Sequence, residues 1–328
     1  MRQELEGGTR HPRCGGSGRD SKMAGGMNRR EYSTQVRAYP ATAAIGDIMA
    51  GAARLGPDGR GRFLAPAALQ SWPGIVHGGA LVALLDTAAR APGREEGARR
   101  IEGRLTSSVP LETPLDLEGH AEGDSVTVTI LDRGQPLTSA AIHRGPIEDD
   151  TADPGWEVGG REGWPIPRSE QCLACGAHNP LGLQLGLRFD PDGVWARFEP
   201  REPWRRPADR VDPALAPVVL DEVAWWLGAL VAKEGGLTNR IAITLRRPDV
   251  PVAGPVTAVG RFADVRPVDR HRTFWQTRSA LLAADGALLA TAAIVFRAGA
   301  DYSARQMAFF RSRTDPVIFA RMFPNHAR

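Results

Sequence analysis

One carboxylate interrupts an apolar, helix-forming stretch of the sequence, GIVHGGALVALLDTAAR at residues 74–90. Apolar residues recur on one predicted helical face, at Leu81, Leu84, Leu85 and Ala88. Asp86 lies roughly 150° around the helix from that face, and its neighbours on that side are also apolar. We therefore expect Asp86 to be partly desolvated, with a raised pKa that would suit a general base. A solvated polar face is the alternative interpretation.

Two glycines, Gly78 and Gly79, lie at the predicted start of this helix, directly after His77. The first N–H groups of a helix have no partner within the helix, and glycine lets a ligand approach them closely. Such an N–H can form an oxyanion hole, typically worth about 10²–10³ in rate. The alternative is that the glycines serve packing only and that His77 is a structural histidine.

The composition fits a two-domain protein. The chain has 328 residues, of which 42% are hydrophobic, enough for two cores. A net charge of +3 argues against a dedicated nucleic-acid binder. Three cysteines favour a reducing compartment. We find no apolar run of the roughly 18–20 residues that a membrane span needs and no signal-peptide core, so we expect a cytoplasmic protein without membrane contact.

Composition and pattern divide the chain into five parts. The first part is rich in Gly, Arg and Ser without periodicity and is predicted to be disordered, and an acidic segment rich in Gly and Pro is predicted to link two folded bodies. The predicted parts are a disordered segment 1–40, a first body 41–147, a linker 148–169, a second body 170–299 and a tail 300–328.

The two bodies form a diverged internal repeat. LLDTAA in the first matches VLDEVA in the second, which aligns Asp86 with Asp221. Each body has a strand pair, one long helix and a run of alternating strands. This order predicts an α+β class, in which an antiparallel sheet covers a helix in each body.

The motif His77-Gly78-Gly79, with Asp86 nine residues after the histidine, resembles the signature helix of the hotdog acyl-CoA thioesterases, in the branch of the phenylacetate-pathway enzymes. The Pro-containing strand end at Val109-Pro110 and the stretch CLACGAHNPLGLQLGLRF are also similar to that branch. The resemblance implies two fused hotdog folds that form an intramolecular pseudo-dimer. It also implies hydrolysis of an acyl thioester, with acyl-CoA as the first choice.

The resemblance also implies roles for single residues. The Gly79 N–H would polarise the thioester carbonyl, and Asp86 would act as general base on water or as a direct nucleophile. His77 and Gly78 would shape the substrate-binding loop. Where the family often has Asn, this chain has Ser71 beside Gln70, either of which would hold a water or the carbonyl.

The second copy of the motif has lost its glycines. The residues aligned with the His-Gly-Gly triplet are Asp212, Pro213 and Ala214. Pro213 has no N–H, so we expect the second site to be dead or repurposed, although Asp221 is present.

The second copy keeps a hydroxyl residue that the first copy lacks, the reverse of the pattern for the glycines. The family often places Ser or Thr before the strand that follows the helix, facing the partner's carboxylate. The second copy has Thr238 there, next to Asn239, whereas the first has Arg100. We therefore predict one composite site of Asp86, Gly79 and Thr238, with Asn239 near the substrate.

Candidate contacts to the phosphates of CoA are Arg246, Arg247 and Arg104, since Arg pairs well with phosphate. Solvated strand ends are the alternative. Trp225 and Trp226 would line an acyl tunnel or belong to the core.

Cys172 and Cys175 have the spacing of metal ligands, but only His178 and Cys14 lie near them in sequence, so we expect no metal and no cofactor. The expected partner is acyl-CoA or another acyl thioester. We expect no nucleic acid, and a homodimer of the whole chain is one option. The alternatives to an acyl-CoA hydrolase are a non-catalytic acyl-ligand binder and a carrier-protein thioesterase.

Overall fold

The computed structural model describes residues 39–40, 43–90, 97–145, 147, 155–156, 162–248 and 254–327. All of them belong to one compact unit. Nearly all of the segment predicted to be disordered, and most of the predicted linker, lie outside the described residues. The five-part division therefore stays a prediction.

The described chain contains helices and strands in the predicted order. The helices are α1 Ile45–Ala52, α2 Gly78–Ala88, α3 Leu215–Ala232, α4 Ala300–Arg311 and α5 Pro316–Met322. The strands that precede residue 170 are β1 Ala53–Leu55, β2 Arg60–Phe63, β3 Arg99–Leu105, β4 Leu115–Glu122, β5 Ser125–Asp132, β6 Gln135–Arg144 and β7 Trp164–Pro165. The later strands are β8 Arg188–Phe189, β9 Gly193–Phe198, β10 Arg205–Arg206, β11 Arg210–Val211, β12 Gly236–Leu245, β13 Val256–Arg261, β14 Arg266–Pro267, β15 Phe274–Leu282 and β16 Leu288–Ala298.

One 14-stranded antiparallel sheet runs through both halves in the order β1-β2-β4-β5-β6-β3-β12-β16-β15-β13-β9-β8-β7, with β14 paired to β15. The halves meet edge to edge where β3 pairs with β12, from Arg104 opposite Arg240 to Arg99 opposite Leu245. The sheet and its helices confirm the predicted α+β class. The β3–β12 pair also closes the edge that each half-sheet would otherwise expose.

The two long helices α2 and α3 pack against each other and against the sheet. Residues 79–86 of α2 are buried without interruption, so both faces of the helix are covered, as the sequence predicted. His77 caps the start of α2, and α3 ends at Ala232, before Lys233, which adopts the left-handed conformation common after a helix. Burying each large apolar side chain contributes about 1.5–3 kcal/mol.

By length and composition, α3 could span a membrane, with 18 residues and a mean hydropathy of 1.6. The sequence-based expectation of no such run was therefore wrong. The helix is 78% buried within the fold, as the core helix of a folded domain is. Its apolar surface is thus already covered by protein.

The loop that contains Cys172 and Cys175 attaches the second half of the fold to the first. Asn179 is fully buried, and its side-chain amide donates to the carbonyl oxygens of Ala68 and Gln171 at 2.8 and 2.9 Å. The Leu173 N–H donates to the Gln70 carbonyl at 2.8 Å. These contacts place Cys172 and Cys175 beside the start of α2.

Candidate active site

A cavity of about 150 Å³ lies where the two halves meet. In the first half, the start of α2 and the residues that directly follow β3 line the cavity. In the second half, α3, the start of β12 and the loop that contains Cys172 and Cys175 line it. The predicted tail closes it, because Phe309 and Phe310 of α4 also line the cavity. The cavity therefore needs three parts of the chain.

Asp221 of α3 is the carboxylate at the centre of this cavity. One of its oxygens, Oδ1, accepts a hydrogen bond from the Thr238 hydroxyl at 2.7 Å. The other, Oδ2, accepts one from the Gly79 N–H at 2.7 Å. The carboxylate is thus oriented by a strand of its own half and by the helix start of the other half.

The two glycines of α2 permit this approach. A Cβ on Gly79 would collide with the carbonyl oxygen of Pro217, and a Cβ on Gly78 would lie 2.8 Å from Asp221 Oδ2. Only glycine lets α2 start this close to α3. The glycines therefore bring the carboxylate of the second half to the helix start of the first.

Burial raises the pKa of Asp221 above its ordinary value, because desolvation outweighs the opposing effects of His77, Thr238 and Gly79. Asp221 is 5% exposed. A carboxylate with a raised pKa is a stronger base than an ordinary aspartate. This is the electrostatic setting that the sequence analysis expected for Asp86.

Asp86 itself does not line this cavity. The Arg99 guanidinium donates two hydrogen bonds to it, both at 2.7 Å, and Arg90 donates another at 3.0 Å. Burial raises the pKa of Asp86, but the two arginines outweigh it, so the net pKa is lowered. The expected raised pKa was wrong, because the sequence pattern did not show that Arg99 folds onto the helix.

The structure thus brings together only part of the predicted composite site. Gly79 and Thr238 do meet, but through Asp221 and not through Asp86. The Gly79 N–H points at Asp221 Oδ2 and at His77 Nδ1, 3.1 Å away, so here it holds the base instead of facing open space.

Most of the other residues predicted to contact substrate line the cavity, and one does not. Ser71, His77, Gly78 and Asn239 line the cavity, as do Trp225 and Trp226. The Asn239 amide donates a long hydrogen bond, 3.4 Å, to the Leu105 carbonyl. Gln70 is buried and does not line the cavity.

The predicted phosphate contacts lie elsewhere. Arg246, Arg247 and Arg104 do not line the cavity, and Arg247 lines a second, smaller one. Arg100, the first-copy counterpart of Thr238, is exposed and forms an ion pair with Glu102. Arg297 of β16 is exposed and lines the main cavity, although no pattern in the sequence distinguished it.

A second polar cluster lies beside Asp221. His77 Nε2 is 3.2 Å from Glu222 Oε2, and His77 Nδ1 is 3.5 Å from Asp221 Oδ2. Burial lowers the pKa of His77, but Cys172 and Glu222 more than compensate and raise it well above its ordinary value. A hydrogen bond from Cys175 lowers the pKa of the Cys172 thiol.

The sequence analysis weighed only His178 and Cys14 as further ligands beside the two cysteines and expected no metal. His178 is exposed, and Cys14 lies outside the described residues. The neighbours of Cys172 are His77 of the first half and Glu222 of α3. Sequence distance hid this contact, since 95 residues separate His77 from Cys172.

The equivalent place in the second copy holds a cavity of about 30 Å³. Asp212 and Pro213 line it, and the Ala214 N–H donates to Asp212 Oδ1 at 2.9 Å. Asp212 also accepts a hydrogen bond from Arg206 at 2.9 Å. The contact from Ala214 to Asp212 parallels the one from Gly79 to His77, although α3 starts without a side-chain cap, and Asp86 does not line this cavity.

No protein-family model matches the chain. No curated protein matches it in sequence either. Solved structures do match it in fold. A conserved protein of unknown function with a hotdog fold from Alicyclobacillus acidocaldarius aligns at a TM-score of 0.54 and 17% identity, covering 77% of this chain and 98% of that one.

Two further matches carry thioesterase names. The tesB protein of Mycobacterium avium subs paratuberculosis aligns at a TM-score of 0.52 and 15% identity, over 78% of this chain and all of that one. Acyl-CoA thioesterase II TesB2 of Mycobacterium marinum aligns at 0.50 and 12% identity, over 79% and 99%. These likenesses confirm the predicted double hotdog fold.

Proposed function

We propose that this chain hydrolyses acyl thioesters, with acyl-CoA as the first candidate and Asp221 as the general base. The observation that carries this proposal is the Asp221 carboxylate, which is buried at the cavity, has a raised pKa and is oriented by Thr238 and Gly79. The thioesterase names of two hotdog neighbours support the same reaction class.

The reaction needs one water between Asp221 and the thioester carbonyl. Asp221 removes a proton from the water as its oxygen attacks the carbonyl carbon. The C–S bond then breaks, the carboxylic acid forms, and the proton passes from Asp221 to the departing thiolate. No covalent acyl-enzyme is required, because water supplies the oxygen.

The carbonyl oxygen needs a hydrogen-bond donor while it carries negative charge. The Gly79 N–H already donates to Asp221, so its role is to fix the base. Asn239 lines the same cavity, and its amide donates only a long bond to Leu105. We assign the oxyanion contact to Asn239, which shares the strand of Thr238.

The acyl group would lie against the aromatic side chains that line one side of the cavity. Trp72 contacts Phe309 and Phe310 with ring centroids 5.3 and 5.4 Å apart, and Trp225 lies 5.9 Å from Phe310. These rings come from both halves and from the tail. An apolar wall of this kind favours an apolar acyl chain or an aromatic acyl group over a short polar one.

Arg297 is the candidate contact for the phosphates of CoA, in place of the three arginines that the sequence analysis chose. If it binds phosphate, Arg297→Gln should raise KM for acyl-CoA. It should leave KM unchanged for the matching acyl-N-acetylcysteamine, which carries no phosphate. Equal KM values for wild type and variant on acyl-CoA would show that Arg297 does not contact the phosphates.

The test is hydrolysis of a panel of acyl-CoAs, from acetyl to palmitoyl with benzoyl and phenylacetyl, followed by thiol release. Wild type, Asp221→Asn and Asp86→Asn are measured side by side at matched folded concentration. Asp221→Asn should lose about 10²–10⁴-fold in kcat, the usual contribution of a general base. Asp86→Asn should retain kcat per folded molecule.

Two results would contradict the proposal. Loss of turnover in Asp86→Asn with retention in Asp221→Asn would return the base to the residue that the sequence favoured. Absence of turnover on every substrate, with acyl-CoA binding that survives Asp221→Asn, would identify a non-catalytic acyl-ligand binder.

Several narrower predictions stay predictions. Assignment to the phenylacetate-pathway branch depends on the motif at residues 77–86 and its accompanying stretches. The cytoplasmic location, the absence of membrane and nucleic-acid partners, and a homodimer of the chain depend on sequence alone.

A further inference from the structure

We propose that His77, Cys172 and Glu222 bind a divalent transition-metal ion, with Zn²⁺ as the preferred ion. The ligand atoms of these three side chains all lie within 4.8 Å of one another. His77 and Cys172 are 2% and 4% exposed, and the Glu222 side chain is 12% exposed. This inference is independent of the proposed hydrolase activity.

The donor set selects the class of metal. It combines an imidazole nitrogen, a thiolate sulfur and a carboxylate oxygen. Zn²⁺ accepts all three ligand types, whereas Mg²⁺ and Ca²⁺ prefer oxygen alone. Because the residues also line the cavity, a three-ligand site would leave the fourth position open to it.

Each ligand is held by a different rigid element. His77 caps α2, and its ring is fixed by contacts at both nitrogens. Cys172 lies in the loop that Asn179 anchors to the first half. Glu222 projects from α3, and Trp226 Nε1 donates to its other oxygen at 3.4 Å. A bound ion would therefore crosslink the two halves of the fold.

Asp221 completes a common arrangement around a metal-bound histidine. His77 Nδ1 is 3.1 Å from the Gly79 nitrogen, and Nε2 is 3.2 Å from Glu222 Oε2. With the metal on Nε2, the ring proton would be on Nδ1, which is 3.5 Å from Asp221 Oδ2 and would donate to it. A carboxylate in this position orients the histidine and strengthens its ligation. The Gly79 N–H keeps its bond to Asp221.

Cys175 is a neighbour of the site but not a member of the three-residue set. Its thiol hydrogen-bonds Cys172, and it lines the same cavity. Its sulfur is not in the group whose atoms lie within 4.8 Å of one another. Cys175 is thus a matched control: the same residue type, in the same loop, at the same cavity.

The test uses the full chain, stripped with a chelator and kept reduced. Zn²⁺ is titrated against a chromogenic chelator, and Co²⁺ is added separately to follow its visible spectrum. We expect one ion per chain and a thiolate-to-cobalt charge-transfer band. Cys172→Ser should abolish the band and weaken Zn²⁺ binding by at least about 100-fold, since even loss of an outer-shell partner costs about 10–100-fold. Cys175→Ser should keep both.

His77→Gln is expected to lose the ion as well. If that variant does not fold, Glu222→Gln replaces it, because this change removes one ligand oxygen and keeps the shape of the side chain. Circular dichroism of each apo variant checks the fold before titration.

The assignment is overturned if wild type does not compete with the chromogenic chelator for Zn²⁺. It is also overturned if Cys172→Ser and Cys175→Ser weaken binding equally, which would indicate binding to thiols in general. Neither readout needs turnover, so a failure here is distinct from a failure of the hydrolase proposal.

Discussion

Asp86 and Asp221 occupy aligned positions in the central helices of the two halves, yet their surroundings differ in charge. Asp86 lies between two arginines, at 2.7 Å from Arg99 and 3.0 Å from Arg90. Asp221 accepts one hydroxyl and one backbone N–H, with no arginine in contact among the described residues. The same residue type therefore has a lowered pKa in one half and a raised pKa in the other.

The difference shows how a duplicated fold can divide two tasks. A carboxylate neutralised by two guanidinium groups holds structure together and is a poor base. A carboxylate that is buried without a guanidinium partner keeps more of its affinity for a proton. The helix starts differ in the complementary way: the first has Gly78 and Gly79, and the second has Pro213 and Ala214. The cavities at the two helix starts measure about 150 Å³ and about 30 Å³.

The largest effect should come from removing the charge of Asp86. Asp86→Asn removes the negative charge that accepts two hydrogen bonds from Arg99, which is 4% exposed, and should cost about 3–5 kcal/mol of unfolding free energy. Asp221→Asn should cost less, since the amide oxygen can still accept from the Gly79 N–H while the amide nitrogen donates to the Thr238 hydroxyl oxygen. Urea denaturation of both variants measures this. Equal losses would remove the distinction between the two carboxylates.

Next in size is the hydroxyl that orients Asp221. Thr238→Val removes a hydrogen bond to a carboxylate, worth about 1.5–3 kcal/mol, or roughly 10–100-fold in kcat. That bond lowers the pKa of Asp221, so its loss should raise this pKa further. Because the base must be deprotonated, the acidic limb of the kcat/KM profile should move to higher pH. Thr238→Ser keeps the hydroxyl and should restore both kcat and the position of the acidic limb. A Ser variant as slow as the Val variant would contradict this role.

A smaller effect is expected from closing the gap between the helices. Gly79→Ala places a methyl group against the Pro217 carbonyl and should cost about 1–3 kcal/mol of unfolding free energy, with lower turnover as α3 is displaced. The control is Gly51→Ala in α1, where a Cβ meets nothing within 4 Å. That variant should be neutral or slightly stabilised. Equal thermal midpoints for both variants would show that the close approach is unimportant.

The smallest effect, but the clearest in sign, is the pH dependence of stability. The lowered pKa of Asp86 means that its ion pair stabilises the fold above the ordinary Asp pKa, and that this is lost as pH falls through the lowered value. The raised pKa of Asp221 gives the opposite sign: stability is lost as pH rises from the ordinary value through the raised one.

Wild type should therefore gain stability with pH relative to Asp86→Asn and lose stability relative to Asp221→Asn. Unfolding free energies measured from below the ordinary Asp pKa, where the Asp86 slope lies, up to neutral pH, which covers the Asp221 slope, check both. Slopes of the same sign would mean that the two carboxylates do not differ as described.

Much of the fold could be predicted from local pattern. The helix start at His77, the burial of both faces of α2 and the α+β order follow from spacing and apolar periodicity. The pairing of Gly79 with a residue of the other half was also predicted, through Thr238. The choice of carboxylate was not, because aligned residues look alike in a repeat.

Residue types and their order thus determined the duplicated architecture, the helix starts with and without glycine, and the presence of one hydroxyl at the start of β12. Only the tertiary structure decided which aspartate lines the cavity without a guanidinium partner. That choice depends on Arg99 reaching Asp86 across 13 residues and on Gly79 reaching Asp221 across 142. The pKa of a buried carboxylate is set by the charges and donors packed around it, and those come from distant parts of the chain.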